Sequence, residues 1–259
     1  MIHKSKKGLR ELVYGINAVT AALESAPESI ITAYILKGKE DKRLETIVHL
    51  LKAYGISMQH SSRQYLDERS QGGVHQGIML EVKASPPLTE RDLPAILDKA
   101  QDNGQDMLAL ILDGVTDPHN LGACMRSAWG AGACCVIVPK DKSASFTAAA
   151  KKAASGAAAV MPLVYVTNLA RTIEYLQDER DFRVVGMAGE AEDDIYKSDL
   201  TGALALVMGS EESGMRRLTR EKCDSITKIP MAAGVESLNV SVAAGIALFE
   251  ARRQRGLQD

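Results

Sequence analysis

From Met107 onward, short apolar runs of strand length alternate with segments of helical periodicity. The apolar runs are Leu108 to Leu112, Cys135 to Val138, Leu163 to Val166, Arg183 to Met187, Leu204 to Met208 and Ile226 to Ile229. Helices are predicted over Leu121 to Ala131, Phe146 to Ala157, Leu169 to Gln177, Met215 to Cys223 and Leu238 to Arg253. Near-continuous apolar strands separated by helices predict a mostly parallel sheet covered on both faces. The Ala-rich run Ala148 to Ala159, with Lys151 and Lys152 inside it, reads as part of a tightly packed helix and not as low complexity.

The pattern before residue 85 is different. Gly15 to Leu23 suits a helix and Ile30 to Leu36 a strand, while Leu44, Ile47, Val48 and Leu51 fall at i, i+3, i+4, i+7 on one helical face. Ile56 to Gln59 and Ile78 to Val82 complete a short sheet, so residues 1–84 read as a small α/β unit. Ser85-Pro-Pro-Leu88 breaks regular structure, because consecutive prolines fix φ and remove backbone donors. The acidic stretch from Glu90 to Asp106 is predicted to hold a short helix within an interdomain connection. The expected organisation is a first domain over 1–84, a linker over 85–106 and a second domain over 107–259.

Charge adds a direction to this division. The formal net charge of the 259 residues is −2, which does not announce nucleic-acid binding. Yet residues 1–84 carry twelve Lys and Arg against nine Asp and Glu, whereas 85–106 carry two against five and the remainder seventeen against nineteen. The first unit, with Lys4, Lys6, Lys7 and Arg10 at its start, is therefore the expected footprint for a polyanion, set against a merely solvated basic surface. No apolar stretch follows that basic start and none approaches a membrane span, so neither a signal peptide nor a membrane segment is expected. Cys124, Cys134, Cys135 and Cys223 form no C-x-x-C pair and read as reduced thiols of a cytoplasmic protein, without disulfides or a metal site.

Three stretches carry candidate chemistry. Asp113-Gly-Val-Thr-Asp-Pro-His-Asn-Leu-Gly-Ala-Cys-Met-Arg126 follows a strand and opens a helix. Asp117 or Asn120 can cap that helix, and Gly122 permits close approach of a neighbour or ligand. Arg126, among small and apolar neighbours, needs an acceptor, which is either a structural salt bridge or a phosphate or ribose. The loop Gly209-Ser-Glu-Glu-Ser-Gly214 can turn main-chain groups toward a ligand beside the carboxylates of Glu211 and Glu212. Ile229-Pro-Met231 and Ser237-Leu-Asn-Val-Ser241 follow, and Ser237 or Asn239 is a helix cap or a working side chain. Two strand ends with small polar residues at the following helix start are where α/β proteins bind small molecules.

This ordered set resembles the SpoU (TrmH) family of RNA ribose 2′-O-methyltransferases, within the SPOUT superfamily of knotted α/β proteins. The first family motif, Asn-x-x-Gly-x-x-x-Arg, is met by Asn120, Gly122 displaced by one place, and Arg126. Gly209, Glu211 and Gly214 meet the second, and Ile229 to Met231 with Ser237 to Ala243 meet the third. Similarity runs from Leu110 to Glu250 and extends to Tyr14-Gly-Ile-Asn-Ala-Val and Gly73-Val-His-Gln-Gly-Ile78, while Trp129-Gly130 and Glu212 depart from the pattern. It is nearest the subgroup acting on guanosine in bacterial 23S ribosomal RNA.

The resemblance implies S-adenosylmethionine as cofactor, contacted by Gly209, Ile229 and Leu238, and a homodimer through the knot helices with Ile246 and Phe249 as candidate contacts. It implies catalytic work by Arg126, with Asn120 orienting Arg126 or the ribose. Ser237 and Asn239 would position substrate, and Glu211 would pair with an arginine of the same or a second subunit. Residues 1–84 would form a ribosomal-protein-like RNA-binding domain. Competing readings are a transfer-RNA ribose methyltransferase, a nonenzymatic RNA-binding protein on the same fold, and a nucleotide-dependent oxidoreductase. The last is disfavoured because Gly130-Ala-Gly132 precedes a strand instead of following one.

Overall fold

The computed structural model describes residues 10–38, 41–70, 72–83, 86–105, 107–235 and 237–256. Lys4, Lys6, Lys7 and Ser85 lie outside them, while Pro86 and Pro87 of the expected break carry no regular structure. The chain divides into two compact units, Met1–Pro86 with Gly156–Val160, and Pro87–Ser155 with Met161–Asp259.

The first unit contains β1 (Arg10–Tyr14), α1 (Ile16–Ser25), β2 (Ile30–Leu36), α2 (Lys42–Ala53), β3 (Met58–Ser61), α3 (Arg63–Arg69) and β4 (Ile78–Lys83). Its sheet has the order β1-β4-β2-β3, with β2 and β3 parallel and the other pairs antiparallel. The period of two splits β2 and β4 between two cores. Ala33, Ile35, Ile78 and Leu80 pack with Val19 and Leu23 of α1 and with Leu44, Ile47 and Leu51 of α2, the helical face expected from sequence. Tyr34 and Met79 face the other way and pack with Leu66 of α3. On that second face the buried Glu81 accepts hydrogen bonds from Tyr34 Oη (2.8 Å) and Arg10 Nη1 (2.7 Å).

The second unit contains β5 (Leu88–Thr89), α4 (Leu93–Asp102), β6 (Leu108–Asp113), α5 (Pro118–Gly130), β7 (Cys135–Pro139) and α6 (Ala148–Ala154). Past α6, the one-turn helix α7 (Ala157–Val160) groups with the first unit, where it lies against α1. The second unit resumes with β8 (Leu163–Val166), α8 (Leu169–Arg180), β9 (Arg183–Met187), β10 (Asp193–Asp194), β11 (Leu204–Gly209), α9 (Arg217–Glu221), β12 (Ser225–Lys228) and α10 (Val240–Gln254). Its eight strands run in the order β10-β12-β9-β11-β6-β7-β8-β5, every pair parallel. Leu93, Leu97 and Ala100 of α4 and Leu169, Ile173 and Leu176 of α8 cover one face. On the other, α5 packs against β7, α10 against β11, and the two helices against each other.

Two expectations need correction. The short helix expected between Glu90 and Asp106 is α4, but it is not part of a mere connection: β5 pairs with β8, and α4 buries its apolar stripe in the second core. The single helix expected over Phe146 to Ala157 is broken at Ser155, whose φ of 53° cannot continue a right-handed helix.

Candidate active site

Because β12, β9, β11 and β6 are parallel neighbours, their carboxyl ends open on one edge of the sheet. The residues that follow, with the start of α10, enclose a cavity of about 430 Å³. Met187, Met208, Ile229, Leu238, Val240 and Ala243 give it apolar walls, while Glu190, Glu211, Lys228 and Ser237 bring polar groups. Gly209, Ile229 and Leu238, expected to serve one ligand, thus line one cavity.

Backbone geometry shapes the loop after β11. Ser210 and Gly214 exchange N–H···O bonds of 3.0 Å in both directions, folding the loop back on the strand end. A Cβ on Gly209 would lie 2.2 Å from the Gly214 carbonyl carbon and 2.3 Å from Met215 N. Glycine is required there by the loop's own backbone. The far end of the loop is tied to β6, where the fully buried carboxylate of Asp113 accepts from Arg216.

The three sequence motifs meet at Glu211. Its Oε1 accepts from Asn239 Nδ2 (2.6 Å), Asn120 Nδ2 (3.1 Å) and the backbone N–H of Val240 (3.1 Å). Asn239 Nδ2 also donates to Asn120 Oδ1 (3.0 Å). The other end of the Asn239 amide caps α10, its Oδ1 accepting from Ser241 N (3.0 Å) and Ser241 Oγ (2.6 Å). Asn239 is therefore both a cap and a member of the polar cluster. Among the described residues Glu211 Oε2 has no hydrogen-bond partner, which leaves an acceptor beside the cavity. Burial, reinforced by the Glu211 carboxylate, pushes the nearby Cys124 thiol up to about 12, so this cysteine is no nucleophile.

Arg126 is not brought into the cluster. Six residues beyond Asn120 is a rotation of about 240° around the helix, so the two side chains leave α5 on different sides. Arg126 is exposed and has no ion pair or hydrogen bond among the described residues, which removes the structural salt bridge as its explanation. Asp117, and not Asn120, caps α5 by accepting from His119 N (2.9 Å). Gly122 serves a neighbour: a Cβ there would lie 2.3 Å from the Ala150 carbonyl oxygen of α6. Sequence reasoning gave no role to Asp113 or Arg216, although an aspartate closing an otherwise apolar strand was the available signal. The contribution of β9 through Met187 to Glu190 carried none, because nothing in that stretch looks chemical.

A protein-family model described as the SpoU rRNA Methylase family matches residues 107–249. The chain belongs to this family. A second model, for RNA 2′-O ribose methyltransferase substrate binding, matches residues 12–88. Among curated relatives, the 23S rRNA (guanosine-2′-O-)-methyltransferase RlmB of Escherichia coli K12 is 58% identical, covering 95% of this chain and 100% of the relative. The protein of the same description from Pasteurella multocida is 56% identical, covering 95% and 99%. The crystal structure of the SpoU methyltransferase AviRb from Streptomyces viridochromogenes superposes with a TM-score of 0.75 at 25% identity, over 95% of this chain and 90% of that one. The same protein has been solved in complex with AdoMet, with a TM-score of 0.73 at 24% identity and the same coverage. The SpoU membership places the mixed α/β architecture and the motif residues in one family of methyltransferases.

Proposed function

We infer that this chain transfers a methyl group from S-adenosylmethionine to the ribose 2′-hydroxyl of a guanosine in 23S ribosomal RNA. The observation that carries this reading is the joining of Asn120, Glu211 and Asn239, one residue from each family motif, beside the strand-end cavity. The cavity suits the cofactor: its volume lies within the roughly 300–1,000 Å³ of small-molecule sites, and apolar walls face strand-end backbone and a few polar groups. Bound there, S-adenosylmethionine supplies an electrophilic methyl group. Ile229 and Leu238 hold the adenosine by packing, and Gly209 by keeping the loop folded close.

The remaining work falls to polar side chains. Glu211 fixes the amides of Asn120 and Asn239. Asn239, whose amide is spent on Glu211, Asn120 and Ser241, holds the first turn of α10 in place, and Ser237 presents its hydroxyl to the ribose from there. Arginine stays protonated, so Arg126 is no general base. It holds a phosphate and stabilises negative charge developing on the 2′-oxygen, and water or a neighbouring group takes the proton. Because Arg126 leaves α5 away from its own cluster, this reading calls on a second copy of the chain. Trp129 and Phe249, 42% and 49% exposed on the paired helices α5 and α10, offer the apolar contact for a homodimer. The threaded, knotted connection implied by the family resemblance belongs to the same reading, as does RNA selection by the first unit and action in the cytoplasm. Among the described residues no helix is long and apolar enough to cross a membrane, and no acidic, His and Cys group could hold a metal.

The test is methyl transfer from labelled S-adenosylmethionine to 23S ribosomal RNA taken from a strain deleted for this gene. Label at one guanosine 2′-oxygen is the expected result. Incorporation only into transfer RNA, or none at all, overturns the reading.

A further inference from the structure

The segment joining α3 to β4 is held at several points. His75 is buried, and its Nδ1 accepts the N–H of Gly77 (3.0 Å). The ring proton therefore sits on Nε2 and is donated to Asp67 Oδ1 (2.9 Å). The Ser70 hydroxyl donates to the Gly73 carbonyl (3.2 Å). Gln76 adopts a φ of 51°, and its Oε1 accepts the N–H of Ile16 (2.8 Å). A Cβ on Gly73 would lie 2.5 Å from the Tyr14 ring, so a side chain there would push that ring aside. Between these anchors Val74 points outward and is 75% exposed.

An exposed valine alone is ordinary. Here it forms one lip of a cavity of about 380 Å³, lined also by Leu36, Arg63, Asp67 and His75. Asp67 Oδ1 is committed to His75, but among the described residues Oδ2 has only Arg63 Nε at 3.8 Å, too long for a hydrogen bond. Arg63 keeps an 81% exposed side chain at the rim. Apolar side chains at Val74 and Leu36, a carboxylate oxygen without a hydrogen-bond partner among the described residues and an exposed guanidinium are the kinds of group that read a base splayed out of single-stranded RNA.

We propose that this pocket of the first unit receives an unstacked guanine of the RNA substrate, stacked between Val74 and Leu36, with Asp67 Oδ2 accepting from its N1–H and N2–H₂ edge and Arg63 taking an adjacent phosphate. Guanine is favoured because a carboxylate needs donors. Adenine sets a single amino group beside an acceptor nitrogen, and uracil sets one N–H between two carbonyls. The proposal rests on the reading of this chain as an RNA methyltransferase, and it adds a base-reading subsite apart from the methyl-transfer cavity.

The experiment uses the full chain, isotopically labelled for amide resonances. It is titrated with a synthetic RNA hairpin carrying one loop guanosine, the same hairpin with inosine in its place, and free guanosine monophosphate. Amide shifts at Gly73, Val74 and Gly77 are expected with the guanosine hairpin, about fivefold weaker binding with inosine, and at least tenfold weaker binding with the free nucleotide. Asp67→Asn keeps an oxygen for His75 but turns a donor toward guanine. It should weaken hairpin binding about tenfold at unchanged thermal midpoint and unchanged S-adenosylmethionine affinity. Shifts confined to other residues, equal affinity of Asp67→Asn, or free nucleotide bound as tightly as the hairpin would each overturn the proposal. Methylation of 23S ribosomal RNA by the parent chain is assayed alongside. A chain that methylates while its pocket ignores guanine sinks the subsite alone, and a chain that binds guanine here without methylating sinks the catalytic reading alone.

Discussion

The carboxylate of Asp113 accepts twice from Arg216, from its backbone N at 2.8 Å and from its Nε at 2.6 Å. A buried carboxylate is tolerated only when it is paired and hydrogen-bonded. The pair also clamps the end of β6 to the far side of the loop that carries Glu211. Asp113→Asn preserves shape but sets an amide donor against one of two donors. Unfolding free energy should fall by about 3 kcal/mol, and S-adenosylmethionine affinity should fall with it as the loop loosens. Urea melts and calorimetry check both, and unchanged cofactor affinity would show that the loop stands without its tether.

Gly209→Ala tests a different part of the same loop. The added Cβ meets backbone at 2.2 Å, which no rotamer change can relieve. Loss of the loop's fold should abolish measurable cofactor binding while the chain still unfolds cooperatively. Calorimetry showing parental affinity would mean that the loop refolds around a side chain, and that its bond pair with Gly214 is dispensable.

Arg126→Ala should leave stability within about 0.5 kcal/mol of the parent, as expected for an exposed side chain without partners. Cofactor affinity should hold as well, while single-turnover methylation is lost. Arg126→Lys should rescue poorly because lysine lacks the planar fork. Near-normal methylation by the alanine variant would remove Arg126 from the chemistry.

Much of this was legible in the sequence because buried parallel strands announce themselves. β2, β8 and β9 fall on the expected residues, and β6, β7, β11 and β12 within a residue or two. The motif residues Asn120, Glu211 and Asn239 were also visible, but their mutual hydrogen bonds join side chains up to 119 positions apart, which no local pattern encodes. α3 escaped notice because its sequence, RQYLDER, buries only Leu66 and shows no apolar stripe. The fate of residues 88–102 was misjudged for a related reason. Prolines and acidic residues suggested a connection, yet Leu93, Leu97 and Ala100 suffice to pin α4 in the core.

The homodimer reading is checked at Phe249, whose ring lies 3.4 Å from where a Cβ on Gly130 would sit. A charge there should be harmless to a monomer and costly to an apolar contact between copies. Phe249→Asp is expected to sediment as a monomer and to lose methylation together with association. A dimer that survives the substitution places the contact on another surface.

Acid should affect the first unit through Glu81. Arg10 first, and then the Tyr34 hydroxyl, hold its carboxyl below the usual carboxylate range. A carboxyl lowered in the folded state adds stability above its unfolded value of about 4.3, and that stability is lost as pH falls through the lower folded value. Glu81→Gln should cost about 1–3 kcal/mol at neutral pH and reduce the acid-side loss. Equal losses in variant and parent on acidification, read from exchange protection of β4 amides, would clear Glu81 of the effect.

The turn at Ser155 sends five residues, Gly156–Val160, into the first unit although the chain has already built half of the second. The chain consequently passes between the two units three times, after Pro86, Ser155 and Val160. Cutting after Pro86 yields neither part whole: the leading piece lacks α7, and the trailing piece carries α7 with Ala157 stripped of α1. Exchanging the first unit with that of a relative therefore means transplanting two separated stretches as one inheritance, α1 together with the segment that closes on it.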